Sequence, residues 1–328
     1  MRHSILTLLI CFLIVQISKA QCPTTGFAMP DSVCAGQSFQ ITNSSTTGLS
    51  YQWDLCNGDL SRIPTGQNLG NIGPLTFPQQ TKVVTDNGKY YIFIANYVNG
   101  NLLRYDFGTS LDNTPVVYNY GNFTSSLNQP IALDIIRDNG IWYALVANNS
   151  NKKLFRINLG ALIEANISSA TDLGLFGLNN PKNLRIAKDG NNFHVFATNE
   201  LGNDLIRIDF GTSIANTPTG FTALNNVLFV SSWGFDVAYD CTLSKYVGFL
   251  LSYTQSKLHI LDFGSSLTNT PTIATTINTS QNPSGAQLIR DGQNWHLMLA
   301  IFGLNQLQNF KIGNNLLNTP VSIFADTV

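Results

Sequence analysis

The chain is poor in charge, in histidine and in helical pattern, and each shortage removes a class of function. Only 11% of its 328 residues are Asp, Glu, Lys or Arg, and the formal net charge is −1. No run of Lys or Arg occurs, and no basic residues interleave with aromatics, so nucleic acid is excluded as a partner. Four histidines are present, and no HExxH, GxSxG, Walker or Rossmann string accompanies them. No segment after the N-terminus carries a sustained helical period with caps, which excludes a helical repeat. No apolar run there is long enough to span a bilayer.

What the chain has instead is repetition. A strand ending in a turn, Leu103-Arg104-Tyr105-Asp106-Phe107-Gly108, returns at Phe155–Gly160, Ile206–Gly211 and His259–Gly264, and in weaker form at Gln308–Gly313. The period is about 51 residues, long enough for one supersecondary unit per repeat. The third copy shows four β-like segments: Asn183–Ala187, Phe193–Thr198, Leu205–Phe210 and a weaker one near Gly220–Thr222. Asp189-Gly190 between the first two is a hairpin signal. Four antiparallel strands per repeat predict a propeller blade, with the sheets packed radially around a channel. The expected fold is therefore all-β, with five visible blades near residues 77–127, 128–179, 180–231, 232–281 and 282–328.

Asn68–Gly73 resembles the segment Asp172–Gly177 that ends the second repeat, so it reads as a fourth strand without inner partners. On that count the expectation is a six-bladed parent cut after five blades, with an exposed edge.

Repeat positions sort the polar residues. Asn96, Asn148 and Asn199 close the second strand and read as turn residues. Asp86, Asp138, Asp189, Asp240 and Asp291 share one turn and read as hairpin chemistry. Arg104, Arg156 and Arg207 coincide, and an inter-blade ion pair with Asp106 or Asp209 is their expected role. His194 and His296 fall where other repeats have tyrosine and read as ordinary blade residues. Counting from each opening proline puts Gln80, Lys82, Asp134, Asn183, Arg185, Asp236 and Gln287 on the channel-lining strands. These are the candidate binding residues, against the plainer reading of solvated channel filler. Trp233 stands where the other repeats open on proline.

The N-terminus supplies a compartment. Arg2 and His3 precede an apolar run from Ile5 to Ile17, then Ser18-Lys19-Ala20, so residues 1–20 read as a signal peptide cut between Ala20 and Gln21. Gln21 sits where lipidation of Cys22 would need a small residue. A secreted or surface location makes disulfides available. Cys34 and Cys56 bracket a candidate hairpin and are the expected pair; Cys241 reads as a lone thiol. A zinc site has no support in the spacing.

Residues 21–65 form a cysteine-containing cap. Val33–Gln37, Phe39–Ser45 and Tyr51-Gln52-Trp53-Asp54 look like the first half of a PKD-type sandwich, over residues 33–59. The remainder, 66–328, is the propeller. The string Trp53–Leu60, the segment Asn68–Gly73 and the recurring Asp-Phe-Gly…Asn-Thr-Pro resemble propeller regions of large secreted proteins of Bacteroidetes. That resemblance implies binding or adhesive roles within a larger polypeptide and carries over no catalytic motif.

The expected function is a non-catalytic binding or adhesion propeller with a protein or carbohydrate ligand and no cofactor. The alternative is an extracellular propeller enzyme, lactonase- or lyase-like, with a channel site and possible calcium. Convergence of Asp134, Asp236 and the channel amides on one point at calcium–oxygen distance would favour the alternative. A purely structural spacer would show a featureless channel mouth.

Overall fold

The computed structural model describes residues 68–327 apart from 164–166, 168 and 292–293, together with 27–28, 40 and 42–43. The chain divides into two units, Met1–Asn57 and Gly58–Val328. Of the first, the described residues form one antiparallel pair, Phe27–Ala28 with Thr42–Asn43. The leader, the rest of the PKD-like segment and the Cys34–Cys56 pair lie outside the described residues.

The second unit is a propeller of five blades, each a four-stranded antiparallel sheet in simple chain order. Inner strands are Pro78–Asp86, Pro130–Asp138, Pro181–Asp189, Ser232–Asp240 and Pro283–Asp291. Outer strands are Val116–Asn119, Thr171–Gly174, Gly220–Asn225, Thr272–Asn278 and Val321–Thr327. Proline suits the first position of an inner strand, where no ladder amide is required. Ser232, not Trp233, takes that position in the fourth blade, since it pairs with Ser252 as Pro181 pairs with Asn199.

The recurring motif has a mechanical reason. The third strand of every blade ends on a glycine with positive φ, at Gly108, Gly160, Gly211, Gly264 and Gly313. In three of them the residue two before accepts the glycine amide: Asp106 at 2.9 Å, Asn158 at 2.8 Å and Asp262 at 2.7 Å. A Cβ is disfavoured at that backbone angle, so the turn selects Asp/Asn-x-Gly. The Asn of Asn-Thr-Pro then ties the loop back, donating to the carbonyls of Phe107, Phe210 and Phe263 at 2.7, 3.1 and 2.8 Å.

Blades join through apolar clusters and a two-point latch. Separate buried clusters link blades one and two, two and three, three and four, and four and five. At each of these junctions an aspartate of the inner hairpin accepts the amide of one buried residue in the next blade. Asp138 takes Ile214 at 3.0 Å, Asp189 takes Leu267 at 3.0 Å and Asp240 takes Leu316 at 2.7 Å. Asp86 takes Ile163 at 3.5 Å. The arginines grip the carbonyls of the same residues: Arg104 on Ile163 at 2.5 Å, Arg156 on Ile214 at 2.7 Å, Arg207 on Leu267 at 3.0 Å. The expected inter-blade ion pairs are thus replaced by donation to main-chain oxygen; the Arg207–Asp209 pair, at 3.0 Å, lies within one blade.

Three further expectations are corrected. Asn96, Asn148 and Asn199 are fully buried and bond the loop that precedes the inner strand, for example Asn199 to Gly177 at 3.0 Å and from Asn179 at 2.9 Å. Residues 68–73 form no strand; Ile72 instead packs on the first blade beside Tyr105, whose hydroxyl donates to its carbonyl. Cys241 is disulfide-bonded rather than a lone thiol, with its partner outside the described residues. Among the described residues, no helix is long and apolar enough to cross a membrane.

Candidate functional site

Six of the seven channel candidates meet. Lys82, Asp134, Arg185, Asp236 and Gln287 occupy one repeat position, the fifth residue of each inner strand. They run around the channel as cation, anion, cation, anion, amide. Lys82 lies 2.6 Å from Asp134; Arg185 lies 3.9 Å from Asp134 and 2.6 Å from Asp236; Gln287 donates to Asp236 at 3.0 Å.

The acceptors of this ring also satisfy the free inner edges of the blades, which would otherwise leave amides unpaired. Asp134 accepts Ile135 at 2.9 Å and Ile186 of the next blade at 2.7 Å. Asp236 accepts Val237 at 2.8 Å and Leu288 of the next blade at 2.7 Å. Gln80 accepts Leu133 at 3.0 Å and Leu184 at 3.1 Å, spanning three blades. Asn183 does not join the ring; it is buried, and its Oδ1 has no hydrogen-bond partner among the described residues.

Burial pushes the Asp236 carboxyl above its ordinary value, with Arg185, the two amides and Lys82 pulling against it. Burial would lower the Arg185 guanidinium, but Asp236 and Asp134 outweigh it and hold it up. Each carboxylate is engaged by donors from its own blade and from both neighbours, so the ring is a built-in strut across the channel. The Arg185 guanidinium already sits between the two carboxylates where a cation would go. Among the described residues, no three His, Cys, Asp or Glu side chains gather to hold a metal ion.

A second constellation lies where the inner strands begin. Lys182 and Trp233 share the second position of the third and fourth inner strands. The Lys182 ammonium stands 4.6 Å from the Trp233 ring centre and 3.1 Å from Glu200. Trp233 stacks on Tyr253 at 4.0 Å and 13°, and Phe302, 64% exposed, leans against both at 6.5 and 6.3 Å. Asn180 donates to the same Glu200 oxygen, Oε2, at 2.5 Å.

Glu200 opens the turn between the second and third strands of the third blade, and Asp204 closes it. Asp204 lines a shallow depression of about 640 Å³ with Gly202, Asn203, Asn225, Asn226 and Val227. Burial pushes its carboxyl up, against a hydrogen bond from Asn199. Its Oδ1 is buried with no hydrogen-bond partner among the described residues. Gly202 leaves room for that oxygen where it stands, since a Cβ would lie 2.8 Å from it and oblige the carboxyl to shift. Ser231 joins the depression to the mouth: its amide donates to Asn203 at 2.7 Å and its hydroxyl reaches Glu200 at 3.5 Å.

Of this second constellation only Trp233 draws attention in the sequence, as a break in the repeat. Glu200 and Asp204 sit in a turn whose composition differs in every blade, so periodicity gives no signal for them.

No protein-family model matches the chain, and no curated protein matches it. Solved structures do match. A candidate 6-phosphogluconolactonase of Bacteroides uniformis aligns at 14% identity and TM-score 0.51, over 75% of this chain and 70% of that one. An α-L-arabinofuranosidase of Clostridium thermocellum aligns at 11% and 0.50, over 77% and 96%. An α-L-arabinofuranosidase of Podospora anserina, solved with cellotriose, aligns at 15% and 0.50, over 70% and 86%. Likeness at this identity is likeness of fold, and it defines a β-propeller. It also corrects the expectation of a non-catalytic adhesion module. Propellers of this fold among the solved structures include α-L-arabinofuranosidases and a β-1,3-galactosidase, which overturns the expectation of a non-enzymatic role.

Proposed function

We propose that the protein is an extracellular propeller enzyme that cleaves a carbohydrate by acid–base chemistry at the channel mouth. The observation that carries this reading is the turn of residues 200–204. It places two carboxylates of unlike surroundings, Glu200 beside a lysine and Asp204 half-buried with one oxygen shielded, next to an aromatic wall. Glycoside hydrolysis uses such a pair, one carboxyl kept protonated to donate and one ionised to accept or attack. Trp233, Tyr253 and Phe302 supply the flat apolar surface that sugar rings need, and Asn180, Asn203 and Asn226 supply amides for hydroxyl groups. The glycosidase propellers of like fold support a saccharide as substrate. The leader supports action outside the cell. The charged ring deeper in the channel holds the blades at the spacing the mouth requires, and calcium is not part of the reading.

The test is turnover of a panel of aryl glycosides and plant or microbial oligosaccharides by the purified protein. Glu200→Gln and Asp204→Asn should each lower kcat about 10²–10⁴-fold with the melting temperature unchanged. Full activity in either variant, or no turnover of any saccharide by the wild type, overturns the proposal.

A further inference from the structure

The channel mouth, where the inner strands begin, is built on one device repeated five times. The residue before each inner strand, Phe77, Gln129, Asn180, Ser231 or Asn282, has a left-handed backbone, with φ between 51° and 58°. Its carbonyl accepts, at 2.9–3.3 Å, the amide of the residue that follows the second strand of the same blade. Those residues are Tyr97, Asn149, Glu200, Tyr253 and Phe302. Glu200 is therefore one member of a set that runs around the mouth on consecutive blades.

In the first blade the device carries a side chain that does not suit it. Four of the five copies have a polar residue at the left-handed position, and asparagine tolerates that backbone best. A bulky phenylalanine there is strained. Burial does not offset the strain, because Phe77 is 64% exposed. Its ring stands 5.9 Å from that of Tyr97, tilted by 60°. Tyr97 is itself fixed: it packs on the cluster that links blades two and three, and its hydroxyl accepts from Asn149 at 3.0 Å. The strain thus sets an exposed aromatic ring on a rigid mount where the other blades place a polar group.

We propose that Phe77, braced by Tyr97, is a second saccharide subsite, and that the substrate is an oligosaccharide laid across the mouth past Glu200 rather than a single glycosyl group. The subsite rests on the reading of the mouth as a glycosidase site. A sugar ring presents C–H groups from its face and hydroxyls from its rim, which an aromatic ring with amides beside it matches. Blade two, which separates Phe77 from Glu200, carries amides at both positions of the device, Gln129 and Asn149. They offer donors and acceptors for hydroxyl groups, where a protein partner would be better met by apolar side chains.

Binding and cleavage are measured separately, with linear glucose, xylose and arabinose oligomers of increasing length. On Glu200→Gln, titration calorimetry should show affinity rising with length, by about tenfold or more once the chain covers Phe77. Adding Phe77→Asn or Phe77→Leu should abolish that rise, and adding Phe77→Trp should keep it. Phe77→Asn alone should melt at or above the wild-type temperature, since asparagine suits the left-handed turn. Affinity that does not rise with length, or rises equally with Phe77→Asn, overturns the subsite and leaves the glycosidase reading to the wild-type turnover. Early melting of Phe77→Asn overturns it as well, because the ring then serves the fold. A rise lost with Phe77→Asn in a protein whose wild type cleaves nothing supports the subsite and sinks the enzyme. Failure to bind any oligomer overturns the subsite.

Discussion

The guanidinium Nε of Arg185 stands 2.6 Å from the carboxylate of Asp236, across the boundary between the third and fourth blades. Asp236 is 1% exposed, and its other neighbours are two amides and the Gln287 side chain, all donors. Removing the cation leaves a buried carboxylate with its attraction gone and its desolvation still in force. Arg185→Met should therefore destabilise the fold by about 3–5 kcal/mol, the usual cost of breaking a buried pair. Urea unfolding measures it, and a loss under about 1 kcal/mol would show the ring to be solvated filler.

The inter-blade latch makes a graded prediction. Asp189 and Arg207 hold Leu267 by its amide and its carbonyl, at 3.0 Å each. Asp240 holds Leu316 alone, because Ile260 stands where Arg207 would. Asp189→Ala, Asp240→Ala and Arg207→Met should each cost about 1–3 kcal/mol, the penalty for a buried polar group left unpaired. The double variant Asp189→Ala with Arg207→Met should fall short of the sum of its parts, since both act on one residue. Strict additivity in thermal melts would refute a shared latch.

Stability should fall on mild acidification through His259. Burial depresses its pKa below the ordinary 6.5, with Lys257 adding to the effect and a main-chain bond at Leu228 opposing it. Both ring nitrogens are engaged, Nε2 with Ser252 at 3.1 Å and Nδ1 with Thr276 at 2.9 Å. The unfolded chain binds the proton first, so stability is full above the unfolded value and is lost as pH drops below 6.5 towards the folded value. Asp240 and Asp262, both held below 3.8, lose their contributions only at lower pH. Chemical denaturation at pH 7.5 and 5.5 should show the drop, and His259→Gln should flatten it.

The blades were legible because their signals repeat. Gly108 and its four counterparts need a left-handed turn, so Asp-Phe-Gly recurs and sets the strand ends. The charge ring was legible for the same reason, since Lys82, Asp134, Arg185, Asp236 and Gln287 hold one register. What it does was not, because an aspartate accepting the amide of a neighbouring blade looks like any other channel aspartate until the blades are packed. Arg104, Arg156 and Arg207 misled in the same way, as main-chain carbonyls leave no trace in sequence. Glu200, Asp204 and Phe302 lie in turns that differ between blades, so the feature that exposed the scaffold hid the site.

The proposed chemistry has a pH signature that a structural role for Asp204 would lack. Burial raises its carboxyl above the ordinary 3.8, and an unpartnered, buried Oδ1 stabilises the protonated form. A general acid works only while protonated, so activity should fall as pH rises through the Asp204 pKa, forming the alkaline limb of the profile. Asp204→Asn should remove that limb and lower kcat, while leaving KM within about threefold. Gly202→Ala should shift the same limb, because its Cβ would lie 2.8 Å from Oδ1 and force the carboxyl towards water, lowering its pKa. The kcat profile between pH 4 and 9 decides the matter. An alkaline limb that is unchanged in Asp204→Asn assigns the proton donor to another group.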